Sequence, residues 1–120
     1  RGDEALQLTR TAEEASGADD LESGALWRMV RAPLLARDGA AAEAESLAAE
    51  AVELAQRTDS PILQADALVE RASVLRLVGR EAEALPLLDE AAALFRAKGD
   101  VVSVSRCFAL QGLQGGSPVA

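Results

Sequence analysis

The sequence repeats itself with a period of forty residues, and this period constrains the fold more strongly than any single residue does. One copy contains the segment GAAAEAE from Gly39, and the other contains GREAEAL from Gly79. Further pairs at the same spacing are Arg31 and Arg71, Ala32 and Ala72, Leu35 and Leu75, Leu47 and Leu87, Ala51 and Ala91, and Leu54 and Leu94. The chain therefore contains two copies of one unit, which we place at residues 20–59 and 60–99.

Each copy has the apolar spacing of two α-helices separated by a glycine. Apolar residues of the second helix in the second copy recur every three or four positions, at Ala84, Leu87, Leu88, Ala91, Leu94 and Phe95. Those of the first helix are Ala65, Leu68, Ala72 and Leu75. Gly79 lies between the two helices, and glycine often follows the last turn of a helix because it adopts the left-handed conformation without strain. Each copy is thus predicted to form an antiparallel pair of helices.

Capping residues mark where the helices begin. Ser60 followed by Pro61 is typical of an N-cap with proline in the first turn. Asp100 is the predicted N-cap of the last helix, and Asp19 with Glu22 resembles a capping box. We expect helices at residues 3–16, 20–38, 41–57, 61–78, 81–98 and 101–113.

Partial units flank the two copies. Residues 1–19 are predicted to be the second helix of a preceding unit, because EAL at 4–6 aligns with EAL at 83–85. Residues 100–113 are predicted to form the first helix of a following unit or a cap. Residues 114–120 contain two glycines and a proline, and we expect a disordered tail there.

The predicted fold class is all-α, with antiparallel helical hairpins over residues 1–113 stacked as an α-solenoid. Pro33 and Pro86 lie inside two predicted helices, where proline removes a backbone hydrogen bond and bends the helix. These two prolines are predicted either to shape the curvature of the array or to mark a hinge.

The composition argues against catalysis. Histidine and tyrosine are absent and Cys107 is the only cysteine, so the commonest general base and the commonest metal ligand are missing. Adjacent carboxylates such as Asp89 and Glu90 point apart on a helix and are expected on a solvated outer face. We therefore expect no catalytic residues, no bound metal and no cofactor, and Cys107 is expected to be a small core residue.

The charge of the chain limits the partners it is expected to bind. The net charge of −8 opposes binding to nucleic acid, which requires clustered basic residues, and to anionic membranes. No apolar run approaches the roughly 18 residues that span a bilayer. A single cysteine fits a reducing compartment. We expect a cytoplasmic protein that binds neither nucleic acid nor membrane.

The repeat resembles the tetratricopeptide repeat (TPR) family. The family's small residue, glycine and alanine pattern is matched in one copy by Ala72, Gly79, Ala84, Leu88 and Ala91, and in the other by Ala32, Gly39, Ala44, Ala48 and Ala51. The period departs from the family's, which is about 34 residues, and Trp27 lies one residue early for the family's tryptophan. Long repeats of this kind are similar to the C-terminal arrays of actinobacterial multidomain ATPases, nucleotidyl cyclases and transcriptional regulators.

This resemblance implies a scaffold or recruitment module that binds another protein or peptide and has no catalysis of its own. Two alternatives remain open. The segment is either a regulatory repeat region of a multidomain signalling ATPase or nucleotidyl cyclase, or a self-associating scaffold that forms a homo-oligomer through exposed ends of the array.

The distribution of arginines predicts the binding surface. In TPR proteins the first helices line a concave groove, so arginines on these helices would bind an acidic peptide by resemblance. The candidate residues are Arg31, Arg71, Arg76, Arg106 and Met29. In the alternative interpretation the arginines pair with nearby acids such as Asp66 and Glu70, contributing roughly 0–1 kcal/mol per pair, and Met29 belongs to the core.

Overall fold

The computed structural model describes residues 20–115, which form five α-helices and no strand. The helices are α1 (Leu21–Arg37), α2 (Ala41–Gln56), α3 (Pro61–Leu77), α4 (Glu81–Ala97) and α5 (Val101–Gly115). The closest pairings join α1 to α2 and α3 to α4, and further contacts join α2 to α3, α1 to α3 and α4 to α5. The all-helical fold class is confirmed for the part of the chain that is described.

The predicted helix bounds agree with the structure to within one residue, except at the end of α5. This helix continues to Gly115 instead of ending at residue 113, so the first two residues of the predicted tail are helical. The predicted helix at 3–16 and residues 116–120 lie outside the described part of the chain.

The first helix of each closely packed pair ends at a glycine with a left-handed backbone. Gly39 has a φ of 87° and Gly79 a φ of 84°. In the turn at Gly79, the N–H of Arg80 donates to the carbonyl of Leu75 at 2.7 Å, as in a Schellman motif. The helix end predicted at Gly79 is confirmed.

The N-caps predicted at Ser60 and Asp100 are confirmed, whereas the cap predicted from Asp19 is wrong by one residue. The Ser60 hydroxyl accepts a hydrogen bond from the N–H of Leu63 at 3.1 Å. At the start of α1, a carboxylate oxygen of Asp20 accepts from the N–H of Ser23 at 3.0 Å, and the other accepts from the Ser23 hydroxyl at 2.8 Å. Ser23 supplies both donors, and Asp20 is therefore the N-cap of α1.

Small residues form much of the core. Ala32, Ala44, Ala48 and Val74 pack together where α1, α2 and α3 meet. Short side chains at a contact reduce the distance between helix axes, so the forty-residue alanine pattern produces closely packed helices. Cys107 is buried on α5 as expected, and burial raises the pKa of its thiol.

Candidate binding surfaces

Two surface cavities contain or adjoin the charged residues of the first helices, and they lie on different sides of α3. The α1–α3 cavity has a volume of about 400 Å³. Its lining residues are Leu26, Met29, Val30, Pro33, Leu34, Arg37 and Glu70. The α2–α3 cavity has a volume of about 280 Å³. Its lining residues are Glu45, Ser46, Ala48, Ala49, Arg71, Val74, Leu75 and Arg80.

The two cavities separate adjacent residues of α3. Successive residues of an α-helix are about 100° apart around its axis. Glu70 therefore lines the α1–α3 cavity, and Arg71 lines the α2–α3 cavity. Of the four candidate arginines, Arg71 alone lines the α2–α3 cavity, and none lines the α1–α3 cavity.

The wall that α1 contributes to the α1–α3 cavity is apolar and accessible. Leu26 is 46% exposed and Val30 is 52% exposed. They lie one helical turn apart and therefore on the same side of α1. Met29, between them, packs partly against the core. Large apolar side chains held at the mouth of a cavity are typical of a surface that another molecule covers.

The wall that α3 contributes carries the carboxylate of Glu70. Glu70 is half-buried, and burial raises its pKa despite the nearby charges of Arg106 and Arg37. Asp66 lies one turn earlier on α3, and burial raises its pKa as well, against the charge of Arg106. Among residues 20–115, neither carboxylate makes a hydrogen bond or an ion pair. The α1–α3 cavity thus combines an apolar wall with the carboxylate of Glu70 and the guanidinium of Arg37, and Asp66 lies one helical turn from Glu70.

The α2–α3 cavity is lined by two arginines, Arg71 and Arg80, and by one acid, Glu45. Arg71 is half-buried in it, and Arg80 lies at its edge. The guanidinium of Arg80 bonds both carboxylate oxygens of Glu83, at 2.6 Å each, and also contacts Glu45. The hydrogen bonds from Arg80 lower the pKa of Glu83. Arg80 is therefore committed to acids of the same chain.

The remaining predicted residues are distributed around the first helices. Arg31 lies 4.5 Å from the centre of the Trp27 ring, and Arg28 lies 4.2 Å from it. Both distances allow a cation–π interaction. The Nε atom of Arg76 is buried and has no hydrogen-bond partner among residues 20–115. Arg106 is exposed on α5, where its charge acts on the acids of α3.

Of the five predicted residues, Met29 lines the α1–α3 cavity and Arg106 lies close enough to influence its acids. Arg71 faces the other cavity, Arg31 lies against Trp27, and Arg76 has a buried Nε atom. The repeat places Arg31 and Arg71 at equivalent positions. Their surroundings nevertheless differ, because Trp27 in the first copy corresponds to Ala67 in the second.

The arginine pattern of the sequence does not predict the apolar wall of α1 or the position of Glu70 in the α1–α3 cavity. Two residue spacings in the sequence are nevertheless consistent with them. Leu26 and Val30 are spaced four apart, outside the buried stripe that contains Ala25 and Ala32. Asp66 and Glu70 are also four apart, which places two like charges on one side of α3.

Two further observations concern other classes of site. Within residues 20–115, no group of three or more cysteine, aspartate and glutamate side chains is arranged to hold a metal ion. None of the five helices combines the length and the apolar character that crossing a bilayer requires.

No protein-family model, curated protein or solved structure matches the chain.

Proposed function

We propose that this chain is a protein-interaction module, a TPR-like α-solenoid without catalysis of its own, which binds a segment of another protein in the α1–α3 cavity. The observation that carries the proposal is the accessible apolar wall formed by Leu26 and Val30. A cavity of about 400 Å³ lies within the size range of ligand sites, roughly 300–1,000 Å³. It is therefore large enough to take one or two side chains of a peptide.

The order of helix contacts supports a stacked array. The first helices of the two units, α1 and α3, lie against each other, and α2 also packs against α3. In a solenoid each unit contacts only its neighbours, and its first helices line one side. The α1–α3 cavity lies between first helices and so corresponds to the inner side of such an array.

Self-association is a second candidate function, and a different surface favours it. On α5, Val101 is 71% exposed, Val102 is 81% exposed and Phe108 is 50% exposed. Two copies of the chain meeting through α5 would cover these side chains. Any such contact must form against the mutual repulsion of chains with a net charge of −8 each.

Peptide selection with matched valine variants tests the proposal. A random peptide display library would be selected against the protein, and the enriched peptides would be measured against Val30→Glu and Val102→Glu. Both valines are exposed, so both variants should keep the wild-type melting temperature. We expect affinity to fall at least about tenfold, or roughly 1.4 kcal/mol, in Val30→Glu only.

Other outcomes are equally decisive. Peptides that bind Val30→Glu as tightly as the wild type would place the binding surface elsewhere. If no peptide is enriched and sedimentation shows a dimer that Val102→Glu dissociates, the self-association function replaces the proposed one.

A further inference from the structure

On the basis of the proposed function, we infer that the partner segment carries an arginine or lysine beside a large apolar residue. The apolar side chain enters the α1–α3 cavity between Leu26 and Val30, and the cation is held by Glu70 together with Asp66. This assignment reverses the charge that the arginine pattern of the sequence suggests for the partner.

The two carboxylates are close enough to contact one cation together. Glu70 lines the cavity itself, and Asp66 precedes it by four residues on the same helix. Residues at this spacing have Cβ atoms about 5–6 Å apart. Two carboxylates so placed can bracket one guanidinium, whose donors are spread over a rigid plane, or share one ammonium group. The cation would then lie at the edge of the apolar wall.

Both carboxylates are available to a cation of the partner. The charged groups facing them are Arg37 of α1, Arg106 of α5 and Asp100, the N-cap of α5. These groups change the local potential, but neither acid is ion-paired within residues 20–115. A half-buried carboxylate has lost part of its hydration, which is why burial raises the pKa of Glu70. A cation from the partner would replace that lost hydration.

The chemistry of the rest of the surface separates this partner from its rivals. An acidic segment in the α1–α3 cavity would meet Arg37, but also the carboxylate of Glu70. The arginines Arg71 and Arg80 lie in the other cavity, beside acids of the same chain. A second copy of this chain brings a net charge of −8. A basic and apolar segment is complementary both to the α1–α3 cavity and to the whole molecule, which also favours fast association.

The test begins with the peptides that lose affinity in Val30→Glu. We expect arginine or lysine next to the apolar residue in these peptides. Peptides of this class that carry aspartate or glutamate there would overturn the inference and leave the proposed function standing. If no selected peptide loses affinity in Val30→Glu, both the inference and the proposed function are contradicted.

A double-mutant cycle then assigns the contact to Glu70. Isothermal titration calorimetry would compare a selected peptide with its Arg→Gln (or Lys→Gln) version, each against the wild type and Glu70→Gln. Each single change should weaken binding about tenfold, and the two together should weaken it no more than either alone.

Glu53→Gln is the matched control for this cycle. Glu53 is exposed on α2, away from both cavities, and its substitution changes the net charge by the same amount. We expect the peptide's arginine to keep its full effect in this variant. Equal coupling in Glu53→Gln and Glu70→Gln would show a general attraction to an acidic protein and overturn the assignment.

Discussion

Residues of α3 and α5 align at the forty-residue spacing of the sequence, yet the surroundings of the two helices differ. α3 packs against α1, α2 and α4, whereas α5 packs mainly against α4. Leu68 of α3 is 3% exposed, and its counterpart forty residues later, Phe108, is 50% exposed. The same helical pattern therefore forms core in one place and surface in the other. An apolar pattern alone does not bury a helix, because burial also requires other helices to pack against it.

The largest difference in the free energy of unfolding is expected between alanine substitutions at Leu68 and at Phe108. Leu68→Ala should lower the free energy of unfolding by about 2–5 kcal/mol, because it leaves a cavity among α3, α4 and their neighbours. Phe108→Ala should cost less than about 1 kcal/mol, since half of the ring already contacts solvent. Urea unfolding followed by circular dichroism measures both. Equal losses would show that another molecule covers α5 in solution.

The next pair is Ala72 and Gly112, where substitution by leucine adds side-chain volume instead of removing it. Ala72 is 1% exposed, so Ala72→Leu should overpack α3 and cost about 1–3 kcal/mol. A Cβ atom added at Gly112 would meet no atom within 4 Å. Gly112→Leu should therefore be neutral or stabilising by up to about 1 kcal/mol, as glycine is a poor helix former. A melting temperature unchanged by Ala72→Leu would contradict the assigned register.

The smallest expected effect distinguishes the two N-caps, Ser60 and Asp100. Ser60→Ala should cost about 1 kcal/mol at any moderate pH, because it removes the hydrogen bond accepted from the N–H of Leu63. Asp100→Ala should also destabilise the protein at neutral pH, but its effect should depend on pH.

The sign of this dependence follows from the hydrogen bonds of Ser103. Donation first from its hydroxyl and then from its N–H lowers the pKa of Asp100 in the folded protein. The stabilisation is complete above the unfolded pKa of about 3.9 and is lost as the pH falls through the lower folded pKa. Denaturation series at pH 7 and at decreasing acidic pH should show wild type and Asp100→Ala converging. The difference for Ser60→Ala should persist, and a constant difference at Asp100 would contradict the capping role.

Local features of the fold were predictable from the sequence. Gly79 ends a helix because its backbone is left-handed, and Ser60 starts one because its hydroxyl satisfies a free N–H. Each of these choices involves only a few consecutive residues. For this reason four of the five helices lie within one residue of their predicted bounds. The forty-residue period also predicted which helices form pairs.

The candidate site was less predictable because it depends on how successive units are rotated. Glu70 and Arg71 are neighbours in the sequence, and only the packing of α1 and α2 against α3 decides which of them faces which cavity. Met29 was identified because it lies on a first helix. The resemblance to TPR grooves predicts arginines as the binding residues, whereas the position of Glu70 in the α1–α3 cavity depends on contacts between distant segments.

The guanidinium groups of Arg28 and Arg31 lie against the only indole of the chain, which contains no tyrosine. Trp27 is buried on α1, so the intrinsic fluorescence of the whole protein originates from the first unit. Its emission reports on the integrity of α1 and its surroundings, while the amide signal averages over all helices. Emission and amide signals that change together on heating would define one cooperative unit. An earlier change in emission would show that α1 and its surroundings unfold before the other helices.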